Sequence, residues 1–217
     1  MNDPIMSLIE YVGIIAFAAS GAILAVKRKM DLLGVIILAV TTSLGGGFVR
    51  DLMLGITPPW MFIHSKYALM ASIVAVCVFI AACFFGSVPD ANMARIDRAI
   101  NVFDSLGLAV FAISGVDTAI NCGYADNAFL CVFVGTLSAV GGGVLRDMFS
   151  ATVPFVLQKR IYALAAIAGA MIYYYLSAAG HKNIGLSAAF VLTVSIRLLA
   201  ARYRWRLPRA DSFHRQA

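Results

Sequence analysis

One heptapeptide occurs twice in this chain, and the distance between its copies limits the available folds. Gly45-Gly46-Gly47-Phe48-Val49-Arg50-Asp51 returns 96 residues later as Gly141-Gly142-Gly143-Val144-Leu145-Arg146-Asp147. The likeness extends beyond it. Glu10, Gly13, Phe17, Ala18, Ser20 and Gly21 match Asp104, Gly107, Phe111, Ala112, Ser114 and Gly115, and Tyr67-Ala68-Leu69 matches Tyr162-Ala163-Leu164. Both copies of the heptapeptide sit inside long apolar runs.

Runs of about 20 apolar residues, the length that crosses a bilayer, fall near 6–26, 32–54, 66–86, 99–120, 127–149, 157–178 and 183–201. A soluble domain carries about a quarter charged residues; here only 13% are charged and 61% are hydrophobic, with mean hydropathy +0.88. The chain therefore reads as an all-α polytopic membrane protein of seven transmembrane helices. Met1-Asn2-Asp3-Pro4 lacks the basic residues of a cleavable signal, so the first span is expected to stay.

Each copy of the repeat holds three spans. An odd number returns the chain on the opposite side, so the second copy is expected to enter the membrane inverted. The predicted divisions are a first three-helix repeat over 1–90, a second over 91–180, and a seventh helix with a basic cytoplasmic tail over 181–217. Inverted pairs of this kind place binding or conduction sites near the midplane, between the repeats, on discontinuous helices.

Cytoplasmic flanks carry the excess of Lys and Arg. With the N-terminus outside, 14 of the 17 basic residues fall inside, among them Lys27, Arg28, Lys29, Lys159, Arg160 and the tail, and only Arg50, Lys66 and Lys182 fall outside. The net charge of +6 thus points to anionic lipid heads and needs no nucleic acid.

Three consecutive glycines each cost roughly 1 kcal/mol of helix propensity relative to alanine. Helices 2 and 5 are therefore expected to break at Gly45, Gly46 and Gly47 and at Gly141, Gly142 and Gly143, roughly 20 Å into their spans. The broken ends would present carbonyls of Gly45, Gly46, Gly141 and Gly142 to Na+ or K+, helped by the hydroxyls of Thr41, Thr42, Ser43 and Ser138. Two competing readings stand beside this. Small residues also serve close helix packing without a pore, and hydroxyls bond back to their own helix.

Charges within the spans form the second signal, because an Arg or Asp at a helix centre costs about 2.5–3.5 kcal/mol on insertion scales. The intramembrane set is Glu10, Arg50, Asp51, Asp104, Asp117, Arg146 and Asp147. Two equivalent ion pairs are predicted, Glu10 with Arg50 and Asp104 with Arg146, near opposite mouths of one path. Arg50 and Asp51 point about 100° apart as helix neighbours and need not pair. Salt bridges that merely join helices are the plainer alternative. Asp117 and Asp126 leave one outer connection acidic, a mouth that would concentrate cations.

Other chemistries lack their signatures. Cys77, Cys83, Cys122 and Cys131 form no Cys-x-x-Cys motif and read as apolar filler, with a Cys122–Cys131 bridge as the lesser alternative. His64, His181 and His214 have no metal-ligand spacing, and no nucleotide, zinc-protease or nucleophile-elbow motif is present, so an enzyme is not expected.

With its paired Gly-Gly-Gly-x-x-Arg-Asp motifs, nearly the whole chain resembles the bacterial relatives of the trimeric intracellular cation (TRIC) channels. The resemblance implies a homotrimer with one pore through each subunit, permeant K+ and Na+, no cofactor beyond bound lipid, and a bacterial plasma membrane location. It also implies gating near kinks in helices 2 and 5. Animal members carry a basic lipid-binding motif in helix 4, whereas Ala109-Val110-Phe111-Ala112-Ile113-Ser114 has no Lys or Arg. The bacterial branch is also labelled as glycine transporters. That label keeps a second reading open, a carrier for a small zwitterion whose carboxylate would sit near Phe48 or Val144.

Overall fold

The computed structural model describes residues 4–85, 93–158, 161–203 and 205. Seven long helices carry the chain: α1 (Pro4–Lys27), α2 (Leu32–Met53), α4 (Lys66–Phe85), α5 (Met93–Ala119), α6 (Ala128–Phe149), α8 (Ile161–Ala178) and α9 (Lys182–Arg202). Two short ones, α3 (Trp60–Ile63) and α7 (Phe155–Gln158), lie between them. All seven long helices are sufficiently long and apolar to span a bilayer, and no strand occurs among the described residues. The turn at Val88-Pro89-Asp90, the basic pair Lys159-Arg160, and the tail residues Arg204, Arg206, Arg209, His214 and Arg215 lie outside the described residues.

The repeat is visible in how the helices begin. The Asp31 carboxylate accepts from Gly34 N at 2.8 Å at the start of α2, and the Asn127 side chain accepts from Leu130 N at 3.0 Å at the start of α6. Each side chain satisfies an amide that the first helical turn leaves without a partner. α3 and α7 also occupy equivalent places, each following a heptapeptide. Neither was legible in the sequence, because a single turn has no periodicity to read.

The helices α1, α2 and α4 form one bundle and α5, α6 and α8 a second; α1 packs on α5, α2 on α6, and α9 covers α8 and α5. The rings of Phe17 and Phe111 stack at 5.2 Å between α1 and α5. Gly13 lies against Val110 and Phe111, Gly107 lies against Phe17, and Lys27 pairs with Asp97 at 2.5 Å. Moving forward along α1 thus means moving backward along α5. The two repeats are inverted, as the odd span count requires.

The structure corrects one expectation. α2 and α6 remain α-helical through both glycine triplets, from Leu32 to Met53 and from Ala128 to Phe149, and are not broken there. The physical reason is packing. A Cβ on Gly46 would run into the Ser138 carbonyl, a Cβ on Gly142 would run into the Thr42 carbonyl, and Gly141 faces the Gly46 Cα. Bare backbone lets the two helices cross in contact, the use that small residues serve in membrane bundles. The carbonyls of Gly45, Gly46, Gly141 and Gly142 are therefore not the ends of half-helices offered to a cation. The four cysteines are free, so Cys122 and Cys131 form no bridge.

Candidate ion path between the repeats

Beside the α2–α6 crossing, each heptapeptide's Arg and Asp fold into a buried charge cluster. Arg50 Nε donates to Asp51 Oδ1 at 2.9 Å, and Arg146 Nε donates to Asp147 Oδ1 at 2.9 Å. Helix neighbours do pair here, because the long arginine stem curls back along its own turn. The second oxygen of each Asp accepts the first amide of the following short helix, Trp60 N at 2.9 Å and Phe155 N at 2.8 Å. Each Asp thereby orients its Arg and fixes the loop beyond.

The other end of each guanidinium reaches across to the opposite repeat. Arg146 Nη1 donates to Ser20 Oγ at 2.7 Å and to Asp104 Oδ1 at 2.7 Å. Arg50 Nη1 donates to Ser114 Oγ at 3.3 Å, and the Ser114 hydroxyl donates to Glu10 at 2.5 Å. The predicted Asp104–Arg146 pair is present. The predicted Glu10–Arg50 pair is not direct, because Ser114 stands between the two groups. Ser20 and Ser114 had been noted only as members of the repeat; their role depends on contact between repeats, which sequence spacing does not display.

The two clusters differ in access. A cavity of about 230 Å³ lies at the Glu10 end, lined by Glu10, Ser43, Gly47, Arg50, Asp51 and Tyr67, with Asp117 and Lys182 also in its lining. At the Asp104 end the side chains of Asp104 and Arg146 are 0% exposed. Tyr162 donates to Asp104 Oδ1 at 3.5 Å there, and Arg197 from α9 donates to Asp104 Oδ2 at 3.2 Å. In the sequence Arg197 is one of the 14 basic residues counted inside, with no further role.

The hydroxyls proposed for the path divide. Thr42 is buried and bonds back to Leu38 O at 2.5 Å; Ser43 bonds back to Ala39 O at 2.9 Å while also lining the cavity. Thr41 is half-buried. Ser138 is fully buried with no partner for its Oγ among the described residues. Of the glycines, Gly47 borders the cavity, Gly45 meets Leu145, and Gly143 lies under the Tyr162 hydroxyl. The acidic charge expected around Asp117 is partly neutralised, since Asp117 accepts from Lys182 at 2.9 Å, Tyr173 at 2.7 Å and Asn121 at 3.0 Å. No cluster of His, Cys, Asp and Glu suited to a metal occurs among the described residues.

The family model described as Glycine transporter matches residues 7–82 and 101–178, the two repeats. A UPF0126 membrane protein of Deinococcus radiodurans is 37% identical over 96% of this chain and 97% of its own length. A prokaryotic TRIC channel crystallised in 0.5 M KCl superimposes with a TM-score of 0.84 at 32% identity, covering 94% of this chain and 98% of that one. The TRIC trimeric intracellular cation channel orthologue from Rhodobacter sphaeroides gives 0.83 at 30% identity, covering 93% and 99%. Matched along nearly its whole length in sequence and in fold, with both heptapeptides inside the matched segments, the chain belongs to the bacterial TRIC channel family, whose family model bears the glycine-transporter description.

Proposed function

We propose that the protein is a channel for monovalent cations, K+ or Na+, with its path running between the two inverted repeats. The observation that carries this reading is the cavity at the Glu10 end, which brings the carboxylates of Glu10 and Asp51 to its lining inside an apolar bundle. Carboxylates so placed attract cations, and charged groups within a span ordinarily mark such paths. The TRIC structures it resembles support the cation reading.

The finer assignments extend that proposal. The subunit assembles as a homotrimer with one path each, in line with the trimeric relative. Basic residues Lys27, Arg28, Lys29, Arg95, Arg98 and Arg202 gather at the Asp104 end, which we therefore assign to the cytoplasm of a bacterial cell, with the N-terminus outside. The basic tail over 202–215 would lie against anionic lipid. With α2 and α6 continuous, opening is assigned to movement at their glycine crossing, where Gly46 and Gly142 slide backbone on backbone, rather than to broken ends.

A second reading, a carrier for a small zwitterion such as glycine, draws on a specific feature: a cavity lies at the Glu10 end while Asp104 and Arg146 at the other end are fully buried, an asymmetry in line with alternating access. Purified protein in planar bilayers separates the two. Unitary current steps carried by K+ or Na+ support the channel; saturable uptake of labelled glycine into proteoliposomes, without steps, supports the carrier.

A further inference from the structure

The pseudo-two-fold symmetry accounts for every charge in the two clusters except one. Glu10, Asp51 and Arg50 at the open end carry a formal −1, and so do their counterparts Asp104, Asp147 and Arg146. Arg197 brings the second set to zero, and it comes from α9, the helix outside both repeats. Its guanidinium carbon lies 4.5 Å from the centroid of the Tyr162 ring while Nη2 binds Asp104 Oδ2. A carboxylate oxygen beside an aromatic face is the chemistry that recognises a monovalent cation. At the open end the equivalent pair, Glu10 and Tyr67, borders the cavity.

Arg197 fills this seat imperfectly. Its Nε is buried with no acceptor among the described residues, and a desolvated donor without a partner makes its stay less favourable. Asp104 does not depend on it, because Arg146 holds the other oxygen at 2.7 Å.

We propose that Asp104 and the ring of Tyr162 form a monovalent-cation site occupied by Arg197 as a tethered cation, and that α9 must withdraw this guanidinium before the Asp104 end admits a free one. The gating half of the proposal rests on the channel reading above; the site itself does not.

Chemical replacement tests it. Arg197→Ala vacates the seat, so mean current in planar bilayers should rise about tenfold, the change that about 1.4 kcal/mol makes in an equilibrium. Millimolar methylguanidinium added at the Asp104 face should return that current to the wild-type level while leaving wild-type current unchanged. Arg197→Lys, which keeps a cation in place, should stay near wild type. In a second measurement, methylguanidinium should raise the thermal unfolding midpoint of the detergent-solubilised Arg197→Ala protein and not that of wild type, as a ligand bound only to the folded variant must. If Arg197→Ala does not accumulate, Arg197→Met keeps the stem's packing and opens the same seat. An equal midpoint response in wild type and variant, or none in the variant, overturns the site. If neither protein conducts, the channel reading fails, and the midpoint shift alone still decides the site.

Discussion

Arg146 Nη1 lies 2.7 Å from the hydroxyl of Ser20, so a guanidinium of the second repeat is held by a residue of the first. The reverse contact, Arg50 to Ser114, measures 3.3 Å. Inversion makes this exchange possible: α1 and α5 run antiparallel, and each presents its serine to the other repeat's arginine. The clusters therefore tie the two bundles together, and a change in one repeat is felt by the charged side chains of the other.

Ser20→Ala should lower stability by about 1.5–3 kcal/mol, the worth of a hydrogen bond to a charged group. Ser114→Ala should cost less than half as much, since its bond to Arg50 is longer and its Glu10 partner borders the cavity. Unfolding of the two variants in the same detergent compares them directly. Equal losses would count against the tighter coupling at the Asp104 end.

Adjacent glycines in one triplet should respond unequally. A Cβ on Gly46 meets the Ser138 backbone, so Gly46→Ala should cost about 1–3 kcal/mol as the helices are forced apart. A Cβ on Gly47 finds nothing nearer than Arg50 Nη2 at 3.7 Å, so Gly47→Ala should fold with wild-type stability. Thermal unfolding in detergent reads the difference. It separates helix crossing from cavity lining within a stretch that sequence alone treats as uniform.

That contrast also marks how far the sequence could be read. The seven spans follow from apolar length, and the inversion follows from three spans per copy; the Asp104–Arg146 pair follows from the cost of intramembrane charge. The glycine triplets misled because propensity measures an isolated helix, whereas Gly46 and Gly142 meet another backbone that rewards the missing side chain. Ser20 and Ser114 stood in the repeat alignment but act across it, while Tyr162 acts on Asp104 within its own repeat. Arg197 has no counterpart in the repeats at all, so no alignment of the chain with itself could single it out.

Asp104→Asn and Glu10→Gln change equivalent residues with unequal expected results. Asp104 is fully buried between Arg146 and Arg197, and its loss leaves Arg197 with a buried charge lacking its carboxylate. The expected cost is about 3–5 kcal/mol. Glu10 is half-buried, borders the cavity and accepts from Ser114, so Glu10→Gln should cost no more than about 1 kcal/mol while lowering cation current. Unfolding and bilayer recordings on the same preparations test both parts.

Lys182 offers a test of the open mouth that leaves the buried clusters untouched. Its ammonium lies 2.9 Å from Asp117, both residues lining the cavity, with about a third of the lysine side chain exposed (36%). Tyr173 and Asn121 keep Asp117 in place when the lysine charge is removed. Lys182→Gln should therefore unmask a carboxylate at the mouth and raise the local cation concentration, increasing current for cations entering from the Glu10 side. Screening sets the signature, because the Debye length falls from about 10 Å at 0.1 M salt to about 3 Å at 1 M. The gain over wild type should be clear at 0.1 M and shrink toward nothing at 1 M. A gain that persists undiminished at high salt would mean the substitution acts on the shape of the path instead of its field.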